Sequence, residues 1–304
     1  MDIEKYHENK MILSSTGLKE LKKSTRHFIQ YLTTEQEKKT HFDFGNAFEL
    51  AIMDKVSGTK LFDKHVSVFR DHELYNKVLS DRPDLKNVRA CKEYKDEKES
   101  FYSQHEDKYI ILDKGEKESL EALNEMVDSC IKDKTIKRLL SNTEYQNSFF
   151  WKHPSGVLCK TRPDFNKIKK NVIVDLKTMI DASPEAASRQ AAKLEYFLQA
   201  VMQCDGAVRS GAMPRVDNYF WLAVEKEPPY NAVIYEYSEY DRDYMTEYYD
   251  HLMERAAKSF ELIKKLEKNE IDFIMGYGET AENEYGILQM EIPLYYKIRH
   301  NINY

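Results

Sequence analysis

The chain lacks residues and segments that mark several large classes of protein. Its 4 cysteines, at positions 91, 130, 159 and 204, are too few and too scattered for a disulfide scaffold, so we expect a reduced, cytosolic protein. No apolar run approaches the roughly eighteen residues of a membrane span, and no basic-then-apolar leader is visible, so we expect no membrane partner. Only 10 glycines and 8 prolines occur, which excludes a collagen-like or low-complexity chain.

Motifs of several common chemistries are also missing. There is no G-x-x-x-x-G-K-[ST], so ATP hydrolysis by a P-loop is not indicated. There is no H-E-x-x-H or C-x-x-C, and the 9 histidines are dispersed, so we expect neither a zinc site nor an iron–sulfur cluster. The formal charge of −6 neither favours nor excludes a nucleic-acid partner, because local basic grooves can coexist with a negative total.

The 304 residues are 41% apolar, which is enough to build a core, and their periodicity changes along the chain. Helical spacing is found at 18–32, 44–52 and 115–140, and again at 184–193, 195–209 and 240–267. Between these helices, short alternating or β-branched stretches indicate strands at 146–151, 157–165, 171–178, 219–224 and 232–237. The sequence therefore predicts an α/β fold, in which helices flank a small mixed β-sheet.

No flexible linker or internal repeat divides the chain, so residues 1–304 are predicted to form one elaborated domain. Its parts would be N-terminal helices at 1–60, a sheet core at 140–240 and a C-terminal arm at 268–304.

Two oppositely charged residues lie close together on one predicted strand. Alternation places Asp175 and Lys177 on one strand face, about 7 Å apart, and Val174 and Leu176 on the other, buried face. A hairpin turn of suitable length would bring Asp164 across from this pair. Two carboxylates at one point repel each other unless a cation lies between them, and hard oxygen ligands suit Mg²⁺ or Mn²⁺.

A lysine beside such a metal can position or deprotonate a water molecule and can stabilise charge on a phosphate. This combination favours metal-assisted phosphodiester hydrolysis. Taken alone, however, a D-x-K pair on a strand is common, and the alternative interpretation is a solvated ion pair.

The surrounding residues resemble the PD-(D/E)xK nuclease superfamily, in particular its exodeoxyribonuclease VIII (RecE-type) and lambda-type exonucleases. The resemblance is carried by Cys159-Lys160-Thr161-Arg162-Pro163-Asp164-Phe165, by Ile173-Val174-Asp175-Leu176-Lys177-Thr178 and by Asp181-Ala182-Ser183-Pro184. The N-terminal segment Leu13–Lys19 and the segment Phe42–Glu49 are also similar to the family. The resemblance covers about residues 12–210 and implies a restriction-endonuclease-like core.

This resemblance implies roles for individual residues. Asp164, Asp175 and the Leu176 carbonyl would hold Mg²⁺, and Lys177 would assist the attacking water. Glu49 lies where the family often has His, but the lambda type carries Gly-x-x-x-Glu, which matches Gly45 to Glu49, so Glu49 is a candidate ligand. An ordinary solvated helix residue is the alternative for Glu49.

Further candidates come from the same resemblance. Glu144 begins the strand before the motif hairpin, where lambda-type enzymes have an acidic residue, and would bind the metal or a water; the alternative is a surface strand residue. The segment from Tyr196 to Gln203 resembles a Tyr-x-x-Gln-Ala-x-x-Tyr helix, although Gln203 replaces its second Tyr. The predicted DNA-contacting residues are Lys160, Arg162, Arg189, Tyr196 and Gln199.

The function implied by the resemblance is a Mg²⁺-dependent exonuclease in the cytosol of a bacterium or a phage-infected cell. It would digest the 5′ strand of linear double-stranded DNA and leave 3′ overhangs for recombination. A ring-shaped homo-trimer or tetramer and a single-strand annealing protein would be its partners. The alternatives are an endonuclease of restriction or repair type and a catalytically inactive domain that only binds DNA or protein.

Overall fold

The computed structural model describes residues 10–34, 43–106, 108–112 and 119–265. It confirms the predicted α/β fold, with helices around a small mixed sheet. The helices are α1 Ser15–Lys23, α2 Thr25–Thr33, α3 Asp43–Ser57, α4 Leu61–His65, α5 Asp71–Asp81, α6 Lys92–His105, α7 Leu120–Lys132, α8 Lys134–Leu140, α9 Pro184–Lys193, α10 Tyr196–Arg209 and α11 Glu239–Lys265. The strands are β1 Val66–Val68, β2 Ile110–Leu112, β3 Glu144–Tyr145, β4 Phe149–Lys152, β5 Leu158–Thr161, β6 Phe165–Lys167, β7 Val172–Met179, β8 Asn218–Glu225 and β9 Ala232–Glu236.

The central sheet has five strands in the order β3-β6-β7-β8-β9. β7 and β8 are parallel and pair over eight residues, from Val172 opposite Asn218 to Met179 opposite Glu225. The other neighbours in this sheet are antiparallel. A parallel pair needs a crossover connection, and α9 and α10 provide it.

The three strand-like stretches of the middle segment do not all join this sheet. β4 and β5 form the predicted hairpin, but they make a separate two-stranded sheet. The predicted strand 146–151 is therefore wrong in its first residues, because Gln146 has a left-handed backbone with φ of 49° and interrupts the ladder after Tyr145.

Helical layers cover both faces of the central sheet. On one face the core contains Ile173, Tyr219 and Trp221 together with residues of α1, α10 and α11. On the other face Val174 and Leu176 pack with residues of α3, α7 and α8. Alternation predicts burial of the Val174 and Leu176 face alone, but the face that carries Asp175 is covered as well, because Asp175 is 1% exposed. The crossover helix α10 packs over the Asp175 face, and α3, α7 and α8 cover the other face.

Two predicted helices are each divided by a capping residue. The stretch 18–32 breaks at Ser24, whose extended backbone ends α1 and whose hydroxyl accepts a hydrogen bond from His27 N at 3.3 Å. The stretch 115–140 breaks at Asp133, whose Oδ1 accepts hydrogen bonds from Thr135 N and Ile136 N. Serine and aspartate cap new helices well, and apolar periodicity alone does not reveal such a break.

No helical spacing is predicted from 61 to 113, yet α5 and α6 form there at Asp71–Asp81 and Lys92–His105. The predicted arm at 268–304 lies outside the described residues. None of the helices in the described part of the chain is long and apolar enough to cross a bilayer.

Gly206 is the point where α10 packs directly on the β4–β5 hairpin. A Cβ atom there would lie 2.7 Å from the Trp151 ring and 2.7 Å from Thr161 Cγ2. We expect Gly206→Ala to lower the free energy of unfolding by about 1–3 kcal/mol, although alanine favours helix, because overpacking outweighs helix propensity. Thermal or urea unfolding measures this change.

The matched control is Gly45→Ala in α3, where a Cβ would meet Thr178 Oγ1 at an ordinary distance of 3.4 Å. It should leave stability unchanged or slightly higher. Equal effects of the two substitutions would contradict the packing explanation.

Candidate active site

The candidate site lies at the first residue of β6, where β7 extends beyond the end of its pairing with β6. The last pair of the β6–β7 ladder joins Phe165 to Val174. Asp164 comes directly before Phe165, and its Oδ2 accepts a hydrogen bond from Leu176 N at 2.7 Å. A carboxylate thus takes the place of the next ladder carbonyl. This bond places the Asp164 carboxylate beside the segment that carries Asp175 and Lys177.

Asp175 is the most deeply buried acid of the site, at 1% exposure. Its Oδ2 forms a close ion pair with Lys177 Nζ, and its Oδ1 accepts hydrogen bonds from Gln199 Nε2 and Gln203 Nε2, both at 3.3 Å. Gln203 Oε1 in turn accepts a hydrogen bond from the Tyr219 hydroxyl at 2.7 Å. A buried carboxylate is tolerated only when it is paired and hydrogen-bonded, and here both oxygens have partners.

Glu49 reaches the same region from α3, on the other side of the site. Gln146 Nε2 donates a hydrogen bond to Glu49 Oε1 at 2.9 Å, and Arg162 Nη2 donates one to Gln146 Oε1 at 2.7 Å. The backbone N–H of Gln146 donates to the Asp164 carbonyl at 2.9 Å. Gln146 therefore links Glu49, Arg162 and Asp164, a role that the sequence analysis did not predict.

Burial and mutual repulsion of three carboxylates shift the pKa values of the site. Loss of hydration, followed by repulsion from Glu49 and Asp175, raises the pKa of Asp164 well above its usual value. Loss of hydration is also the main cause that raises the pKa of Glu49, and Asp175 adds to it. Burial lowers the pKa of Lys177, but Asp175 and Asp164 outweigh this effect, so its pKa is raised. The three acids thus lie close enough to repel one another.

A second lysine, which is not among the predicted site residues, lies next to the site. Lys19 Nζ in α1 donates a hydrogen bond to Gln199 Oε1 at 3.4 Å. The Tyr196 ring lies beneath both amines, with its centroid 6.0 Å from Lys19 Nζ and 4.7 Å from Lys177 Nζ. Burial and the charge of Lys177 lower the pKa of Lys19 to about 8.

The structure thus brings Tyr196 and Gln199 to the acidic group, as α10 carries both. Lys160 is 3% exposed, and its burial lowers its pKa. Arg162 is half-buried and contacts the site through Gln146.

Two of the predicted residues lie apart from this group. Glu144 is exposed on β3 and accepts a hydrogen bond from Asn147 Nδ2 at 2.8 Å. Arg189 is exposed on α9 and pairs with Glu185 one turn earlier. In the described residues neither side chain has a hydrogen bond or ion pair with Glu49, Asp164 or Asp175.

The donor chemistry of the site suits a hard divalent cation, because carboxylate and backbone carbonyl oxygens are the ligands of Mg²⁺ and Mn²⁺. Across 10–34, 43–106, 108–112 and 119–265, however, no three His, Cys, Asp or Glu side chains already form a ready-made metal site. Asp175 Oδ2 is paired with Lys177, and Asp164 Oδ2 is bonded to Leu176 N. Mutual repulsion of the acids is what a bound cation would relieve.

We expect Asp164→Asn to stabilise the metal-free protein, because it removes one of three repelling charges while its amide oxygen still accepts the Leu176 N–H bond. Relief of a strained functional site typically raises the free energy of unfolding by roughly 1 kcal/mol, which corresponds to about 2–4 °C in Tm. Thermal unfolding in EDTA measures the gain. The control Glu125→Gln removes an exposed acid of α7 and should leave Tm unchanged. A loss of stability in Asp164→Asn would contradict the explanation that the three acids repel one another.

Comparison with solved structures shows the fold. A crystal structure from Eubacterium rectale, described as a candidate exonuclease, superposes with a TM-score of 0.56 over 97% of this chain and 96% of that chain, at 12% identity. A second structure, SSO0001, is 13% identical over 71% of this chain and 87% of that chain, but its TM-score of 0.25 is too low to show a common fold. No curated protein matches the sequence.

Comparison with protein families gives a match over most of the sequence. Residues 14–272, which include all the site residues described above, match the family described as a PDDEXK-like domain of unknown function. The chain therefore belongs to the PDDEXK-like family DUF3799.

Proposed function

We propose that the protein is a Mg²⁺-dependent deoxyribonuclease that digests linear double-stranded DNA from its ends. One observation carries the proposal: the β6–β7 hairpin brings Asp164 to Asp175 and Lys177, and α3 adds Glu49. Such acids can hold a divalent cation that activates water, and the amine can stabilise charge on a phosphate, so the arrangement suits phosphodiester hydrolysis. Membership of a PDDEXK-like family and the fold of the Eubacterium rectale protein support a nuclease.

Asp164, Asp175, Glu49 and the Leu176 carbonyl would hold Mg²⁺, for which Mn²⁺ would substitute. When bound, the cation would lower the pKa of a water molecule and stabilise the charge that develops on the phosphate. The remaining catalytic groups belong to the chain itself.

Lys177 acts in this proposal as a charged hydrogen-bond donor and not as a base. Its pKa is raised, so the amine stays protonated near neutral pH, and it can orient the attacking water and hold a phosphate oxygen. The Tyr196 ring beneath the ammonium restricts its position through a cation–π contact. Gln199 and Gln203 hold Asp175 in place by donating to its Oδ1.

The finer parts of the function are proposals that rest on the sequence resemblance. They are digestion of the 5′ strand, 3′ overhangs for recombination, a ring-shaped trimer or tetramer and a single-strand annealing partner. Lys160, Arg162, Arg189, Tyr196 and Gln199 stay predicted DNA contacts, and Glu144 stays a predicted ligand. Lys19 joins them, because its amine lies at the same tyrosine ring as Lys177.

Digestion of end-labelled linear duplex tests the proposal directly. With Mg²⁺ we expect shortening from the ends, and with EDTA no cleavage. Lys177→Ala should lower the rate by roughly 10²- to 10³-fold, as for loss of one charge-stabilising donor. Lys152→Ala, at an exposed position of β4, is the matched control and should retain full activity.

A covalently closed circle of the same sequence separates the alternative functions. It should remain intact, because an exonuclease needs an end. Cleavage of the circle at the rate of the linear DNA would instead indicate an endonuclease. Equal activity of wild type and Lys177→Ala would contradict the assigned site, and binding without cleavage would indicate an inactive domain.

The lowered pKa of Lys19 predicts a pH dependence of DNA binding. Below pH about 8 the amine is protonated and attracts phosphate, and above it the charge is lost. DNA affinity in EDTA should therefore fall about tenfold between pH 7 and 9, on the order of one charged hydrogen bond. Fluorescence anisotropy at fixed salt measures it.

Lys19→Arg should flatten this pH profile, because arginine stays charged throughout the range. Lys23→Arg, on the exposed side of α1, should keep the wild-type profile. An unchanged profile in Lys19→Arg would show that another group titrates.

A further inference from the structure

A cavity of about 230 Å³ adjoins the candidate active site. It lies on the sheet face that α9 and α10 cover, and it extends from β7 across β8 to the end of β9. Two strand spacings, or about 10 Å, separate β7 from β9. Its lining includes Lys177 and five aromatic side chains, namely Tyr196, Phe197, Trp221, Tyr235 and Tyr237.

The aromatic side chains of the cavity hold one another in place. The Trp221 ring lies 4.9 Å from the Tyr237 ring and 5.4 Å from the Phe197 ring, in tilted and edge-on arrangements. Tyr235 is fixed by a hydrogen bond that its hydroxyl donates to the Ala182 carbonyl at 2.5 Å. The cavity is therefore preformed, and planar aromatic ligands are the ones that such walls favour.

The polar groups of the cavity differ from one end to the other. Lys177 provides a cation on β7, whereas Glu236 at the end of β9 and Asp241 in α11 provide carboxylates. The indole Nε1 of Trp221 is buried and has no acceptor in the described residues. A phosphate group is attracted to the lysine end of the cavity and repelled by the carboxylates at the other end. The aromatic part between the two ends suits an uncharged ring that carries hydrogen-bond donors and acceptors.

We propose that this cavity, here called the base pocket, binds one unpaired nucleobase of the DNA strand whose backbone lies at Lys177. The proposal rests on the proposed function in that DNA is the ligand. The volume is below the roughly 300–1,000 Å³ of pockets for drug-sized ligands, which fits a single purine or pyrimidine. An unpaired base at this position requires that the end of the duplex is frayed before cleavage.

Fluorine NMR of the full chain tests the base pocket without cleavage. The chain has 2 tryptophans, Trp151 and Trp221, so labelling with 5-fluorotryptophan gives two resonances, which the spectrum of Trp221→Phe assigns. In EDTA, a short oligothymidylate should shift the Trp221 resonance and leave that of Trp151 in place. An abasic oligomer of equal length and charge should bind about 5- to 150-fold more weakly and should not shift Trp221.

A substitution at the rim of the pocket provides the second measurement. Ser188 is exposed on α9 and lines the cavity, so Ser188→Leu should fill it and reduce the affinity for oligothymidylate to that for the abasic oligomer. Ser103→Leu makes the same charge-neutral exchange at an exposed position of α6, outside the pocket, and should bind as wild type does. The wild-type comparison of two oligomers needs no variant, so instability of Ser188→Leu does not weaken the test.

The outcomes separate this proposal from the proposed function. Equal binding of the two oligomers, or equal shifts of Trp221, would overturn the base pocket even if Mg²⁺-dependent cleavage is found. Base-dependent shifts of Trp221 without any cleavage would support the pocket and contradict the nuclease. Absence of all oligonucleotide binding would overturn both.

Discussion

The repulsion among three carboxylates in a partly dehydrated site is the constraint on which the rest of the structure depends. Glu49, Asp164 and Asp175 come from different parts of the chain, and the Lys177 ammonium pairs directly with Asp175. Bringing like charges out of water costs free energy, which the fold must supply through packing elsewhere. Proteins keep such an arrangement where function requires it, and a divalent cation is the ligand that would relieve it.

The fold meets this cost by fixing each acid with neutral donors. The N–H of Leu176 holds Asp164, the side chain of Gln146 holds Glu49, and two glutamine amides of α10 hold Asp175. Because β6 is short, the edge of β7 is free to receive Asp164 at the point where the crossover helix α10 packs above it. The same crossover leaves the aromatic cavity next to Lys177. In our proposal the backbone of a DNA strand binds at Lys177 and one of its bases binds in the adjacent cavity.

Residues that act through local chain geometry could be predicted from the sequence. Strand alternation and one hairpin relate Asp164 to Asp175 and Lys177, and the structure has this register. Gln146 and Lys19 could not be predicted, because both reach the site through tertiary packing of a loop and a distant helix. The burial of the Asp175 face of β7 was missed for the same reason, since it depends on where the crossover helix α10 packs.

Titration with Mn²⁺ followed by electron paramagnetic resonance tests the central claim most directly, because it asks whether these acids hold a divalent cation. We predict saturable binding that Mg²⁺ displaces and that Asp175→Asn abolishes, whereas loss of an exposed acid in Glu125→Gln has no effect. Binding that persists unchanged in Asp175→Asn, or no binding by the wild-type protein, would contradict the account.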